Sequence, residues 1–180
     1  MDCPEELAQR FEELPDAPIE LHHCYIRRED ENASIRGTTW MDERVCVGSV
    51  NHDNLWVQRH PLIGYWRTDA DPAVCMRLRF LHDGQDFASS YINNCQRGPR
   101  VLSTVSLLTN KGDWHDHIDR PEVAGRFDAE DFRMRYELTG RNVAIQQLDE
   151  NRYELSAGDY RAIVHRAPGR FDQYDVTWEM

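Results

Sequence analysis

Apolar and polar residues alternate along most of the chain after Pro18. The clearest run covers residues 131–138, in which apolar side chains occupy every second position. Successive side chains of a β-strand point to opposite faces, so this run predicts a strand with one buried face. Its apolar face comprises Phe132, Met134, Tyr136 and Leu138, and its charged face comprises Arg133, Arg135 and Glu137.

Similar runs, separated by turn-forming residues, predict many more short strands. Asp83-Gly84, Gly98-Pro99, Thr139-Gly140 and Ala157-Gly158 divide several of them. Many short strands with few helical stretches predict an all-β fold, specifically an antiparallel β-sandwich. The predicted strands lie near residues 19–28, 35–50, 55–66, 76–80, 86–94, 101–109, 143–148, 152–157, 159–166 and 173–179.

The beginning of the chain has a different period. Leu7, Phe11 and Leu14 recur at helical spacing, after Asp2, which can cap a helix, and before Pro15. We therefore predict an N-terminal helix and linker over residues 1–17 and a sandwich domain over residues 18–180. A helix that must pack on something, together with a strand at the very end, predicts that the chain is the last section of a longer protein.

The formal net charge of -11 narrows the range of partners. Nucleic-acid binding depends on clustered Lys and Arg, and Lys111 is the only lysine. No apolar run approaches the roughly 20 residues that span a bilayer. We therefore expect neither a nucleic-acid nor a membrane partner. The five cysteines include no C-x-x-C pair, which predicts free thiols, with one disulfide as the alternative.

The densest polar cluster covers residues 112–122. On a strand, His115 and His117 would face the same way and could ligate a divalent metal ion, with Glu122 as the third ligand. His-x-His followed by Glu is similar to part of the first metal motif of cupins. A surface loop of solvated His and Asp is the favoured interpretation. For acid–base catalysis the candidates are His115, His117 and His82, and no catalytic residue is assigned. His22 and His23 are further candidates, but adjacent residues of a strand point to opposite faces and cannot both serve one site.

Aromatic and amide side chains are concentrated between residues 51 and 66. Trp and Tyr stack on sugar rings while Asn, Gln and Arg bind hydroxyls or carboxylates, so the stretch is typical of a carbohydrate cleft. The alternative is that the aromatic side chains of this stretch belong to the core, and for these side chains the alternative is favoured. The candidate ligand-binding residues are Asn54, Trp56, Gln58, Arg59, Tyr65 and Trp66.

A family resemblance rests on short phrases in this part of the chain: Gly37-Thr-Thr-Trp40, Val47-Gly-Ser49, Leu55 to Leu62, Gly64-Tyr-Trp66 and Arg79 to Gly84. Following a terminal helix, they resemble the C-terminal β-sheet region of heparinase II/III-like polysaccharide lyases. That family combines a helical toroid with a β-sandwich. The resemblance implies a cleft for acidic polysaccharide beside a helical partner domain, and β-elimination by Tyr and His.

The sequence therefore predicts a β-sandwich domain of a carbohydrate-processing protein that helps to form a glycan-binding cleft. One alternative is a stand-alone cupin-like enzyme that uses a divalent metal at His115 and His117. The other is a non-catalytic structural module. A complete chain would be cytoplasmic, whereas a fragment of a longer lyase-like protein would be exported.

Overall fold

A computed structural model describes residues 5, 18–54, 60–86, 90–107, 131–167, 169–171 and 174–179, and most of these residues lie in strands. Nearly all neighbouring strands pair antiparallel, which confirms the prediction of an all-β, mostly antiparallel fold. The strands are β1 (Ile19–Ile26), β2 (Ile35–Met41), β3 (Val45–Val50), β4 (His52–Asn54), β5 (Leu62–Trp66), β6 (Val74–His82), β7 (Gln85–Asp86), β8 (Ser90–Arg97), β9 (Arg100–Leu107), β10 (Phe132–Thr139), β11 (Val143–Asp149), β12 (Arg152–Ala157), β13 (Tyr160–His165), β14 (Gly169–Phe171) and β15 (Tyr174–Glu179).

The strands form three sheets. The large sheet has nine strands in the order β1-β2-β3-β5-β6-β10-β15-β14, with β7 attached to β6. The strands β4, β8 and β9 form one small sheet, and β11, β12 and β13 form the other. A 3-10 turn (Glu31–Ala33) lies between β1 and β2. In the described part of the chain, no helix has the length and apolar character needed to span a membrane.

The hairpin of β2 and β3 depends on one aspartate. The Asp42 carboxylate accepts hydrogen bonds from the main-chain N–H groups of Arg44 and Val45, at 2.8 and 2.7 Å. Asp commonly forms such a turn with its own backbone because its short side chain reaches N–H groups two or three residues on. This turn divides the region that the sequence predicted as one strand, residues 35–50, into two.

One pairing differs from the predicted antiparallel arrangement. The strands β10 and β15 run parallel, with Phe132 beside Val176 and Arg135 beside Glu179. A parallel pair needs a long crossover connection, and the sheet β11-β12-β13 supplies it because it lies between these two strands in the chain. This parallel pair is an exception within the predominantly antiparallel fold that the sequence predicts.

Apolar side chains from one face of the large sheet, which we name the inner face, form two core clusters. The first joins Leu62, Leu78, Phe80, Phe132 and Met134 to Ile92 of β8. The second joins Trp66, Val74 and Met76 to Leu155, Ala157 and Val164 of β12 and β13. Fully burying one such side chain stabilises the fold by about 1.5–3 kcal/mol, so these contacts hold both small sheets against the large one.

The outer face of β6 and β10 carries arginines and carboxylates in contact. Glu137 accepts hydrogen bonds from Arg77 Nε at 2.5 Å and from Arg79 Nη1 at 2.7 Å. Arg79 also donates to both carboxylate oxygens of Asp86, at 2.9 and 2.6 Å. Burial by itself would raise the pKa of Glu137, but the bonds from Arg79 and Arg77 outweigh it and hold that pKa below its ordinary value.

The predicted N-terminal helix lies outside the described residues, of which only Glu5 falls in that segment. The helix over residues 2–14 and the domain boundary between residues 17 and 18 therefore stay predictions.

We predict that Glu137→Gln destabilises the fold by about 2 kcal/mol at pH 7, because Arg77 loses its hydrogen-bonded carboxylate and Arg79 loses one of its two. The folded-state pKa of Glu137 is lowered, so the carboxylate contributes its stability above the ordinary Glu value and loses it as the pH falls through the folded value. The difference between variant and unchanged chain should therefore shrink towards pH 3. Urea unfolding at both pH values measures it.

The exposed Glu43 in the turn between β2 and β3 gives a matched control. Glu43→Gln should change the free energy of unfolding by less than about 0.5 kcal/mol at either pH. A Glu137→Gln deficit that is equally large at pH 3 would contradict the ionic explanation.

Candidate ligand-binding groove

A polar groove lies between the inner face of β1, β2 and β3 and the strand β8, and it encloses a cavity of about 480 Å³. This volume is within the range of about 300–1,000 Å³ that is usual for small-molecule sites. Polar side chains, two of them amides, contribute to its walls: His22, Cys24, Arg36, Thr38, Asn51 and Gln96. We refer to it below as the polar groove.

Strand register places the groove residues of three strands side by side. His22 is opposite Thr38, and Thr38 is in turn opposite Ser49. Cys24 is opposite Arg36. Residues directly opposite each other in a sheet share a face, with Cβ atoms about 4.5–5.5 Å apart. These side chains therefore form one polar surface at the β1 edge of the inner face.

Two amides of β8 fasten this strand to the large sheet. The buried Asn94 donates through Nδ2 to the carbonyls of Val50 and Pro61, at 2.8 and 2.9 Å, and accepts from Ser103 Oγ at 2.6 Å. Gln96 donates through Nε2 to the carbonyl of Val47 at 2.9 Å. Buried polar groups are costly unless paired, so these bonds fix the distance between the two walls.

A second amide network shapes the end of the groove near the 3-10 turn. The Asn51 side chain accepts from the main-chain N–H of Arg36 at 2.8 Å and donates to the carbonyl of Ser34 at 2.9 Å. Ser34, which is fully buried, accepts through Oγ from the N–H of Arg28 at 2.9 Å. The Arg36 guanidinium forms an ion pair with Glu31 of the turn. Arg36 is thereby held at the groove while its side chain stays half exposed.

The groups that a ligand can reach differ from those that build the walls. The side-chain amides of Asn51, Asn94 and Gln96 are hydrogen-bonded within the protein. The side chains of His22 and Arg36, in contrast, are 67% and 50% exposed. His22 Nδ1 lies 3.1 Å from Thr38 Oγ1, and its Nε2 lies 3.1 Å from Glu20 Oε1. The available chemistry is one guanidinium, one imidazole, a hydroxyl and a thiol, which together suit a ligand with hydroxyl and carboxylate groups.

A hydrogen-bonded tyrosine–histidine pair lies on the neighbouring strands β4 and β8. The Tyr91 hydroxyl contacts His52 Nδ1, and the two rings stack with centroids 5.8 Å apart. Burial raises the pKa of Tyr91, and the charge of Asp53 adds to this. His52 Nε2 is buried and has no hydrogen-bond partner among the described residues. Burying a nitrogen without a hydrogen-bond partner costs free energy, so we treat this pair as a second candidate site.

The sequence-predicted ligand residues are not brought together by the structure. Trp66 is 5% exposed and belongs to the second core cluster, whereas Tyr65 points to the outer face and is 44% exposed. On that face Tyr65 is opposite Cys46 of β3 and Cys75 of β6, and burial, followed by its contact with Cys75, raises its pKa. Neither residue contributes to the polar groove.

The other predicted site residues are only partly described. Asn54 ends β4 opposite Tyr91, and His82 ends β6 opposite Phe132, with only their backbones described. Trp56, Gln58, Arg59, His115, His117 and Glu122 lie outside the described residues. Among the residues that are described, no three His, Cys, Asp or Glu side chains converge as a metal-ligand set. The metal site at His115, His117 and Glu122 therefore stays a prediction.

Sequence reasoning named His22 as an acid–base candidate but missed the groove, because the groove residues come from separate strands. His22, Arg36, Thr38 and Gln96 have no shared spacing in the chain, and only the pairing of β1 with β2 and the position of β8 bring them together. Cys24, Cys46, Cys75 and Cys95 are free thiols, and Cys3 lies outside the described residues.

Comparisons with known proteins identify no relative: no protein-family profile, no curated protein and no solved structure matches the chain. The resemblance to heparinase II/III-like lyases therefore stays a prediction, and any function has to be argued from the geometry.

We predict that Asn94→Ala destabilises the fold by about 3 kcal/mol, since it leaves the buried carbonyl of Pro61 and the Ser103 hydroxyl with fewer partners. Asn93→Ala, one residue earlier and exposed, should cost less than about 0.5 kcal/mol. Chemical unfolding of both variants measures this difference. Equal stabilities would show that the amide does not fasten β8 to the large sheet.

Proposed function

We propose that this chain is a glycan-binding module whose polar groove holds an acidic sugar unit. The observation that carries the proposal is Arg36, which is half exposed beside Thr38 and His22 in a cavity whose amide groups are hydrogen-bonded within the protein. A guanidinium binds a carboxylate through two parallel hydrogen bonds, and hydroxyl and imidazole groups match sugar hydroxyls.

The charge of the chain also favours the polar groove as the binding site for an acidic ligand. The chain carries a formal net charge of -11, which repels an acidic ligand at long range. Binding therefore requires a local positive group, and Arg36 supplies it at the groove. Two carboxylates, those of Glu31 and Glu20, lie beside these groups. Glu31 already pairs with Arg36. Glu20 already pairs with His22 and accepts a hydrogen bond from the N–H of Gly98. Binding of a uronate would compete with the exposed Arg36–Glu31 pair, which costs little because exposed pairs are weak.

The architecture that we propose is a β-sandwich. Its support is that both core clusters lie on the same face of the large sheet, with one small sheet over each. In the heparinase II/III-like lyases that the sequence resembles, such a sandwich packs beside a helical domain. A helical partner domain of this kind would complete the cleft on the open side of the groove.

We predict that Arg36→Ala weakens binding of an acidic oligosaccharide at least about tenfold, because a charged hydrogen bond contributes about 1.5–3 kcal/mol. Binding of neutral oligosaccharides should fall much less. Titration calorimetry with uronate-containing and neutral oligosaccharides measures both affinities.

Arg44→Ala is the matched control, since Arg44 is equally exposed and pairs with Asp69 away from the groove. It should leave both affinities unchanged. The proposal is wrong if the unchanged chain binds none of these oligosaccharides. If Arg36→Ala and Arg44→Ala lose equal affinity for the acidic oligosaccharide, the groove is not the binding site.

A second candidate function is proton transfer at the pair of His52 and Tyr91. The specific observation is the hydrogen bond between His52 Nδ1 and the Tyr91 hydroxyl, in a ring whose Nε2 has no partner among the described residues. A lyase that eliminates across a uronate needs a base and an acid at the reacting carbons, and phenol and imidazole can serve in these roles.

We predict that the chain releases unsaturated uronides from an acidic polysaccharide and that Tyr91→Phe lowers this rate at least about a hundredfold, as expected for loss of an acid–base group. Tyr160→Phe is the control, because Tyr160 packs in the second core cluster. Ultraviolet absorbance of the unsaturated product follows the reaction. Activity that survives Tyr91→Phe would exclude this pair without affecting the glycan-binding proposal.

A further inference from the structure

The strand β1 forms one edge of the large sheet. It pairs with β2 on one side, and no other strand of the described residues pairs with it on the other. Apart from Ile19, which is half-buried, all of its residues are exposed. Every second residue of an edge strand directs its N–H and C=O groups outward, so β1 presents a row of hydrogen-bonding groups that no other described strand pairs with.

This edge lacks three of the features that usually protect one, and its β-bulge comes only after Cys24. Natural edge strands are kept short or carry Lys or Pro to prevent pairing with another chain. β1 is eight residues long and contains neither, and its outer face exposes Leu21 and Tyr25 at 39% and 62%. A long edge without Lys or Pro and with exposed apolar residues is typical of a strand that pairs with a partner.

We propose that the partner is a second copy of this chain, paired antiparallel along β1 about a two-fold axis at Leu21. A two-fold axis perpendicular to the sheet keeps the inner faces of both copies on one side. In this register Leu21 faces Leu21 of the other copy, and Ile19 faces His23. The two nine-stranded sheets then form one continuous sheet.

Charge complementarity selects this register. On the inner face, Glu20 of each copy lies opposite His22 of the other, so that acidic and basic side chains alternate across the interface. An axis at His22 would instead place the two His22 side chains against each other. It would also extend the pairing beyond Cys24, where a β-bulge interrupts the strand.

The register has a consequence for the polar groove. His22 and Cys24 lie on β1 and contribute to the groove, so the grooves of the two copies meet at the dimer axis. The dimer itself does not depend on the ligand or on the proposed glycan-binding function.

Sedimentation velocity of the full chain at micromolar to 100 micromolar concentration tests the proposal at near-physiological ionic strength. The unchanged chain should sediment as a dimer at the upper end of this range. Leu21→Lys puts two ammonium groups together on the axis and should weaken dimerisation at least about a hundredfold, because like charges directly opposite each other on an edge are destabilising.

Ile163→Lys is the matched control, since Ile163 is 46% exposed on β13 and lies outside the interface. It should dimerise like the unchanged chain. A monomeric unchanged chain, or a dimer that survives Leu21→Lys, would overturn the proposal. Circular dichroism verifies that both variants keep their strand content.

A cross-linking variant tests the register. Opposite residues of an antiparallel pair have Cα atoms about 4.5–5.5 Å apart, which suits a disulfide. Leu21→Cys should therefore form a covalent dimer on mild oxidation, whereas Leu102→Cys, at a residue 71% exposed on β9, should not exceed the background of the unchanged chain. Equal cross-linking of the two variants would overturn the Leu21 register.

Discussion

At the pair of Leu62 and Ser49, the inner face of the large sheet changes from apolar on β5 to polar on β3, and the rest of the structure depends on this change. Leu62 of β5 belongs to the first core cluster, while Ser49, directly opposite it on β3, bonds to the side chain of Gln96 at 2.7 Å. β8 packs across this border: Ile92 enters the core, and Asn94 and Gln96 bond to the polar part. The same strand therefore closes the core and forms a wall of the groove.

The two small sheets serve different purposes because they cover different parts of that face. The sheet β11-β12-β13 buries Leu155, Ala157 and Val164 against the second cluster and contributes apolar contact. The sheet β4-β8-β9 carries amides at its border and keeps a cavity open beside the core. Internal hydrogen bonds fix the amide side of the groove, whereas the side chains of His22 and Arg36 remain largely exposed although they contact Thr38, Glu20 and Glu31.

On the outer face, carboxylates offset the repulsion between neighbouring arginines. Arginines alternate with apolar residues on β6 and β10, so the strands place like charges side by side, as with Arg79 opposite Arg135. Glu137 and Asp86 lie among them and accept their hydrogen bonds. Carboxylates at these positions stabilise the face, and the remaining acidic residues leave the chain with its net negative charge.

Local alternation determined much of this fold. Phe132 and Met134 are buried and Arg133 is exposed, as the period-two pattern of residues 131–138 requires, and the turns at Asp83-Gly84 and Gly158 follow from their residue types. Alternation tells which side chains share a face, but it carries no information on which strands become neighbours. Only the tertiary structure decided that β15 lies parallel to β10, that Trp66 is core while Tyr65 is not, and that Arg36, Thr38 and His22 meet in one groove, because these depend on pairings between residues distant in the chain.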